Sequence, residues 1–301
     1  MMTSSVVAVG VFDGVHGGHK VLIDRARRIA DQRSLPLVVA SFNPHPAMVL
    51  RPGTFLGLLT LPERRAELLR DAGADRVEFL TFDDTLRNMS ADEFVENIIQ
   101  GRLHAAAVVV GRNFRFGRKA SGDVDALQVL ANKYGFDVDV VDLAGDTQSW
   151  SSTRIRQAIL AGDVAMARDL LARPHRLSGP VVHGDHRGRE LGFPTANIAV
   201  PEELLIPMDG VYSAIVRVAG QSYPAAVSIG TNPTFEGVLS RRVEAHVIGH
   251  TDLDLYGQMA DLDFIDFVRP MLKFEGIDPL IAAMNNDVVL ASAQISDFLD
   301  S

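Results

Sequence analysis

The hydrophobic pattern of this 301-residue chain changes close to residue 173. Before that point, short apolar runs alternate with helical patterns, and the runs are apolar at successive positions instead of at every second one. Strands with that pattern are buried on both faces, which predicts a parallel sheet covered by helices. We predict strands at 6–11, 36–41, 77–82, 106–110 and 138–142, and helices at 18–33, 62–72, 90–101, 123–134 and 153–171.

The second half has a different pattern, with short strands and one terminal helix. Alternating segments at 177–182, 210–218, 223–229, 243–248 and 259–268 are separated by turn residues, which predicts an antiparallel sandwich or barrel. Apolar residues from Ile277 to Phe298 recur at three- and four-residue steps, as on one face of a helix. The sequence therefore predicts two domains, an α/β domain at 1–173 and a mainly β domain at 174–301.

Composition restricts the classes of function. The formal net charge is −9, so no general nucleic-acid or membrane surface is predicted, and any site for a polyanion must be a local pocket. The absence of cysteine excludes disulfides, thiolate metal sites and cysteine nucleophiles. The N-terminus enters a strand pattern without a signal peptide, and no apolar run reaches the roughly 18 residues of a membrane span. We expect a cytoplasmic protein.

A glycine-histidine segment follows the first predicted strand. It reads GVFDGVHGGH at 10–19 and leads into a helix. Glycines let the backbone approach a ligand closely, and a helix N-terminus attracts anions through its N–H groups and its dipole. His16 and His19 are three residues apart, so both imidazoles can face one phosphate. The alternative is that both are surface histidines in a glycine turn.

Three further segments of the first half are candidates for the same site. SSTRIR at 151–156 places hydroxyls at a helix start, and its two arginines suit anion binding, which helix capping alone does not require. FNPHP at 42–46 and GRNFRFG at 111–117 follow the second and fourth predicted strands. The latter combines arginines with Phe114 and Phe116, so it can hold a flat aromatic ligand that carries phosphate. Otherwise it is a solvated loop.

The second half carries a separate set of candidates. Residues 179–192 form a glycine-punctuated loop, and FPTAN follows at 193–197. Backbone N–H groups of such a loop can cradle phosphates, and Thr195 and Asn197 supply oxygen donors of the kind that Mg2+ accepts. Glu244 lies in an otherwise apolar strand, where a buried carboxylate is costly unless it has a use, such as accepting a hydroxyl proton in phosphoryl transfer. If Glu244 faces solvent instead, that role disappears.

Seven segments together resemble one family. They are GVFDGVHGGH (10–19), FNPHP (42–46), GRNFRFG (111–117), SSTRIR (151–156), GFPTAN (192–197), GTNPTF (230–235) and LYG (255–257). In this order they are similar to the bacterial bifunctional riboflavin kinase/FMN adenylyltransferases, or FAD synthetases, over essentially the whole chain. The resemblance implies an α/β nucleotidyltransferase-like (Rossmann-like) N-terminal domain, followed by an all-β six-stranded riboflavin kinase barrel with a C-terminal helix.

The resemblance also implies two ATP-dependent reactions. Riboflavin would be phosphorylated to FMN, and AMP would then pass from ATP to FMN, giving FAD and pyrophosphate. Mg2+ is the implied cofactor, ATP is the co-substrate, and FMN and FAD are the product ligands. The implied partners are riboflavin, FMN and ATP. Neither nucleic acid nor a membrane is expected as a partner, and oligomerisation is compatible with the sequence but not predicted.

Roles for individual residues follow from the same resemblance. His16 and His19 would act on the phosphates of ATP, and Glu244 would be the base toward the riboflavin 5′-hydroxyl. In the adenylyltransferase half, ATP and phosphate would be held by Gly10, Phe12, Asp13, Gly14, Gly17, Gly18, Ser152, Thr153 and Arg156, and the flavin by Phe42, Pro44, Asn113, Phe114 and Phe116. In the kinase half, ATP would be held by Gly179, Gly184, Gly188, Gly192 and Pro194, the flavin by Thr231, Asn232 and Arg269, and Mg2+ by Thr195 and Asn197.

Other functions remain open at this point. One is a riboflavin kinase whose adenylyltransferase domain is weak or inactive, and another is a non-catalytic regulatory protein that binds flavin. A different nucleotidyl acceptor, such as a pantetheine phosphate, would fit the first domain alone but would leave the second half unexplained.

Overall fold

The computed structural model describes residues 4–55, 57–142, 150–184, 192–233 and 239–300. Internal contacts divide the chain into two compact units, Met1–Ser152 and Thr153–Ser301. The sequence pattern changes later, near residue 173, so contacts and pattern assign the residues between these positions to different halves. The domain boundary at 173 stays a prediction, and each unit is described by itself.

The first unit is built on a five-stranded parallel sheet. Its strands are β1 (Ser5–Val9), β2 (Leu37–Asn43), β3 (Arg76–Thr81), β4 (Ala105–Gly111) and β5 (Asp137–Val141). They lie in the order β3-β2-β1-β4-β5, and every neighbouring pair is parallel. Strands β2 and β3 extend the sheet on one side of β1, and β4 and β5 extend it on the other side. In such sheets a ligand usually binds at the carboxyl ends of the strands where the order reverses, which here are β1 and β4. The α/β prediction is confirmed.

Apolar side chains cover both faces of this sheet. Val7 belongs to one buried cluster together with Val38 and Val108, whereas its neighbour Val6 belongs to a second cluster together with Val39. Successive residues of a strand point to opposite faces, so a strand covered on both sides is apolar throughout. This is why the central strands read as continuous apolar runs.

Helices connect these strands. They are α1 (Gly17–Arg33), α2 (Pro46–Leu50), α3 (Pro62–Asp71), α4 (Asp84–Asn88), α5 (Ala91–Phe94) and α6 (Val124–Tyr134), with a π-helical segment at Val95–Gln100 and a 3-10 turn at Arg118–Ala120. Ser90 and Glu93 form a reciprocal capping box at the start of α5. The helix predicted at 90–101 is present, but its second half is π-helical, as the hydrogen bond from the Gly101 N–H to the Glu96 carbonyl indicates.

Two helices, instead of the single one predicted at 153–171, precede the barrel. They are α7 (Ser152–Leu160) and α8 (Val164–Leu171). Gly162 between them has a φ of +80°, and the Asp163 carboxylate accepts the N–H of Met166 and so caps a new helix. The end of α8 at Leu171 agrees with the predicted break before Pro174.

The second unit is a closed antiparallel barrel. Its strands are β6 (His175–Val182), β7 (Ala196–Ile198), β8 (Gly210–Val218), β9 (Gln221–Pro233), β10 (Leu239–Val247) and β11 (Met259–Arg269), followed by α9 (Ile277–Leu299). They close in the order β10-β7-β6-β11-β8-β9, and α9 packs on β8, β9 and β11. The predicted barrel and terminal helix are confirmed. Strand β7 was missed because its three residues are too few to show an alternating pattern. Across the described ranges, none of the helices has the length and apolar character needed to cross a membrane.

Candidate functional site

The turn after β1 has an unusual backbone. Phe12 and Val15 have φ of +53° and +41°, a left-handed conformation that residues other than glycine rarely adopt. Gly14 between them has a φ of +84°. Gly10, before the turn, has no room for a side chain, because a Cβ atom there would lie 2.9 Å from the Phe12 ring. The chain turns sharply at the carboxyl end of β1 and delivers His16 to the N-cap of α1.

The two histidines of this segment lie together, and their expected action on one phosphate stays a prediction. Their rings stack with centroids 3.6 Å apart and an interplanar angle of 18°, and Phe12 meets His19 edge-on at 5.2 Å. His16 is only 4% exposed, so the alternative of two solvated surface histidines is not what the structure shows. Both imidazoles stand at the N-terminus of α1, where the helix dipole favours an anion.

The glycines at the start of α1 are closely packed. A Cβ atom on Gly17 would lie 2.8 Å from the indole of Trp150, and one on Gly18 would lie 3.3 Å from the His16 ring. Trp150 therefore lies directly against the helix start at which a phosphate is expected. Sequence reasoning did not identify this contact, because Trp150 follows β5 and is far along the chain from α1.

The carboxylate of Asp13 points into the protein. It accepts the N–H groups of Leu59 and Thr60 and lies 3.4 Å from Arg65. The Ser152 hydroxyl donates to the backbone carbonyl of Asp13 at 2.9 Å, which ties the start of α7 to the turn. Asp13 was predicted at the phosphate site, and its side chain anchors the turn from within. Thr60 and Arg65 gave no signal in the sequence, because they are distant from the motif.

The predicted flavin contacts of this unit lie at the carboxyl ends of β2 and β4. Phe42 and Phe116 are buried in the apolar cluster on one face of the sheet. Phe114 is half-buried and stacks on Phe116 with centroids 5.5 Å apart, and Asn113 beside it is exposed. The peptide bond before Pro44 is cis. Asn113 and Phe114 therefore offer surface to a ligand, and the buried aromatic rings support them.

Two further predicted ATP contacts lie on α7. Thr153 is exposed, whereas Arg156 is only 7% exposed. By internal contacts both belong to the second compact unit. Their predicted role at the nucleotide stays a prediction.

The second unit contains a cavity of about 290 Å³ between the barrel and α9. Thr195, Glu244 and Arg269, which the sequence singled out separately, all line it. Asn197 is the cross-strand partner of Glu244 in the pairing of β7 with β10, so these two side chains are neighbours. Apolar side chains make most of the remaining wall, among them Phe193, Val211, Met271, Phe274, Leu280 and Met284. Glu244 is half-buried and lines this cavity.

A smaller cavity of about 50 Å³ is also lined by Thr195. Pro194 and Tyr256 also line it, and the Tyr256 ring stacks on His183 at 4.1 Å. Nδ1 of His246 donates to the Pro194 carbonyl at 2.9 Å, which holds the segment before β7 in place. Thr195 is therefore positioned to contact ligands in both cavities.

Glycines next to β7 have no space for side chains. A Cβ atom on Gly179 would lie 2.2 Å from the carbonyl oxygen of Ala199, and one on Gly184 would lie 2.1 Å from the amide nitrogen of Asn197. Gly192 has a φ of +85° and lies at the surface. Two predicted ligand contacts, Gly188 and the side chain of Asn232, lie outside the described residues.

Ion pairs brace the wall of the larger cavity and the loop before β8. Arg269 makes two hydrogen bonds of 2.7 Å to Asp287 of α9. The Thr231 hydroxyl donates to Asp209, whose carboxylate also accepts from Arg241. Burial would raise the pKa of Asp209, but the bonds from Thr231 and Arg241 outweigh it and hold that pKa below its ordinary value. Asp287 and Asp209 were not identified from the sequence, because each lies far along the chain from the residues that it binds.

Two family models match the chain in tandem. The FAD synthetase model matches residues 1–154, and the riboflavin kinase model matches residues 171–295. The bifunctional riboflavin kinase/FMN adenylyltransferase of Listeria monocytogenes is 38% identical and covers 94% of this chain and 90% of its own length. The proteins of that name from Pseudomonas fluorescens and Escherichia coli K12 are 36% and 33% identical, over 96% and 95% of this chain and 92% and 91% of their own lengths.

A solved structure shares the fold along the whole chain. The crystal structure of a protein named macrolide-efflux protein, from Streptococcus pneumoniae, matches with a TM-score of 0.89 and 34% identity, over 97% of this chain and 95% of its own. That name refers to transport, whereas both family models and the curated relatives carry the names of flavin enzymes. The match therefore supports the fold alone.

Proposed function

This chain belongs to the bifunctional riboflavin kinase/FMN adenylyltransferase family, and we propose that its two reactions take place at the two sites described above. The cavity of the second unit is assigned to the phosphorylation of riboflavin. The observation that carries this assignment is a single apolar cavity lined by both Thr195 and Glu244. The adenylylation of FMN is assigned to the stacked His16 and His19 at the start of α1.

In the second unit, Glu244 is the proposed general base. The apolar walls suit the flat isoalloxazine ring, with the ribityl 5′-hydroxyl directed toward the carboxylate. Glu244 accepts the hydroxyl proton while the oxygen attacks the γ-phosphorus of ATP. The new O–P bond forms, the bond to the β–γ bridging oxygen breaks, and ADP leaves. Arg269 at the end of β11 and Thr231 near the end of β9 would support the flavin.

Thr195 and Asn197 are the proposed Mg2+ contacts, together with the phosphates of ATP. Their hydroxyl and amide oxygens are hard donors, and Asn197 stands next to Glu244 across the strand pair. Bound Mg2+ would neutralise charge on the phosphoryl group during transfer. Within the ranges that the structure describes, no group of three or more His, Cys, Asp or Glu side chains could hold a metal alone, so ATP would supply the other ligands.

In the first unit, His16 and His19 are proposed to stabilise negative charge on the phosphates of ATP. A phosphate oxygen of FMN attacks the α-phosphorus, the bond from that phosphorus to the α–β bridging oxygen breaks, and pyrophosphate leaves. The N–H groups at the start of α1 would hold phosphates, and Ser152 would support this site through its hydrogen bond to the Asp13 carbonyl. Asn113 and Phe114 would contact the flavin.

Chromatographic separation of the flavin products tests both assignments. Riboflavin with ATP and Mg2+ should give FMN first and FAD later, and FMN in place of riboflavin should give FAD. EDTA in excess over Mg2+ should stop both reactions. FMN without FAD would instead indicate a monofunctional kinase, and flavin binding without ATP consumption would indicate a regulatory protein. A cytoplasmic location remains part of the proposal.

A further inference from the structure

The turn that presents His16 is strained and must be held by its surroundings. Phe12 and Val15 both have left-handed backbone conformations, with φ of +53° and +41°. Residues with side chains keep such conformations only where the surrounding structure enforces them, often at active sites. The contacts that restrain this turn therefore contribute to the geometry of the stacked histidines.

Asp13 is the anchor within the turn. Its carboxylate is 1% exposed and accepts the N–H groups of Leu59 at 3.0 Å and Thr60 at 3.1 Å, together with the Thr60 hydroxyl at 3.1 Å. The Thr60 Oγ in turn accepts the N–H of Gly14 at 3.1 Å. The turn cannot relax without breaking these buried hydrogen bonds.

Arg65 of α3 is the cation of this buried network. It is also 1% exposed, and its Nη2 lies 3.4 Å from the Asp13 carboxylate. The same guanidinium donates to the carbonyl oxygens of Thr60 at 3.1 Å, Phe42 at 3.2 Å and Val11 at 3.4 Å. Phe42 and Val11 lie at the carboxyl ends of β2 and β1. A planar fork of N–H donors can join two strand ends and a carboxylate in this way, and a lysine cannot reproduce it.

We propose that Arg65 is a positioning residue for adenylyl transfer, an inference that rests on the proposed function of His16 and His19. Arg65 neutralises the buried Asp13 carboxylate and fixes the turn at 12–15, and so it sets the positions of the two imidazoles. Removing the cation leaves a buried negative charge without its counter-ion, and the turn must rearrange to solvate it. A displacement of about 1 Å at reacting groups can lower a rate about 100-fold.

The test compares Arg65→Met and Arg65→Lys with a matched control. In Arg65→Met, kcat for FAD formation from FMN should fall on the order of 100-fold, with the KM for ATP changed by less than about threefold. Arg65→Lys keeps the positive charge but lacks the planar set of N–H donors. Its kcat for FAD formation should be about tenfold higher than that of Arg65→Met. Arg64→Met removes a neighbouring cation on the same helix, paired with Glu67 at the surface, and should keep the wild-type rate. Riboflavin kinase activity, measured in the same samples, should be unchanged in all variants.

A second variant covers the case that Arg65→Met does not fold. Thr60→Val removes the hydroxyl that joins Asp13 to Gly14 at nearly constant volume, and it should lower kcat for FAD formation about tenfold in protein that remains folded by circular dichroism. The inference is wrong if Arg65→Lys and Thr60→Val both keep the wild-type kcat, or if the loss lies entirely in KM. If the unmodified chain makes no FAD from FMN, the proposed function fails, and the inference fails with it.

Discussion

His16 and Glu244 illustrate two ways in which single residues serve the proposed chemistry. His16 is nearly buried against His19 at a helix start, so its position is determined by protein contacts before any ligand arrives. Glu244 lies at the wall of an apolar cavity, where a carboxylate becomes effective once a ligand excludes water from around it. Each residue lies in a different compact unit, so under the proposed assignment we expect that each reaction can be disabled separately.

Replacing His19 with alanine should stop FAD formation selectively. The change removes an imidazole that would stabilise charge in the transition state, and loss of one such group lowers kcat about 10²–10³-fold. FMN formation from riboflavin should remain near the wild-type rate, as measured by chromatography of both products. His104→Asn is the control, because it removes an imidazole elsewhere in the same unit and asparagine tolerates the φ of +51° at that position. Equal loss of both activities would contradict the division of labour.

Replacing Glu244 with glutamine should have the opposite effect. The amide cannot accept the 5′-hydroxyl proton, and loss of a general base lowers the rate about 10²–10⁴-fold. FAD formation from added FMN should persist in the same sample. The control is Glu203→Gln, which changes an exposed carboxylate of the same unit. A variant that phosphorylates riboflavin at the wild-type rate would exclude Glu244 as the base.

At the scale of secondary-structure elements, an ion-pair network joins three adjacent strands of the barrel. Arg176 of β6 donates to Asp263 of β11 at 2.7 and 2.8 Å, and Arg217 of β8 donates to the same carboxylate at 2.8 Å. Arg176 also binds Asp261 at 2.8 Å. Asp263 is buried and shared by two arginines, so breaking this group should destabilise the barrel more than breaking a surface pair.

Acid should weaken the barrel through Asp263. Burial raises the pKa of this carboxyl group, but the hydrogen bonds from Arg176 and Arg217 outweigh burial and hold the pKa below its ordinary value. Since the folded pKa is lower than the unfolded one, this stabilisation is complete above the unfolded pKa of about 3.9 and is lost as pH falls through the folded pKa.

Asp263→Asn should therefore flatten the dependence of the unfolding free energy on pH below about pH 4, in urea unfolding of the full chain. Asp252→Asn removes an exposed carboxylate of the same unit outside this network and is the control for the change in net charge. An unchanged slope in Asp263→Asn would mean that Asp263 does not provide the acid sensitivity.

At the scale of the whole molecule, the two activities should be separable in trans. His16 and His19 belong to the first compact unit, whereas every residue that lines the Glu244 cavity belongs to the second. A mixture of His19→Ala and Glu244→Gln chains should convert riboflavin to FAD, although neither variant does so alone, because FMN released by one molecule can reach another. Product chromatography over time should show FMN accumulating before FAD. A mixture that makes FMN but no FAD would show that free FMN does not reach the second site.

The sequence by itself determined the fold class of both halves and the positions of the chemically important segments. Apolar runs, alternating strands and the stripe from Ile277 to Phe298 indicate which faces will be buried, because the repeat of side-chain directions along a helix or strand is a local property of the backbone. The spacing of His16 and His19 likewise placed both histidines at one helix start, whereas the stacking of their rings was not predicted.

Only the tertiary structure decided which distant residues meet. It brought Arg65 to Asp13, Arg269 to Asp287, and Thr195 to the same cavity as Glu244. It also supplied the short strand β7, which places Asn197 opposite Glu244. These contacts depend on strand order, register and the closing of the barrel, and no local pattern in the chain encodes them.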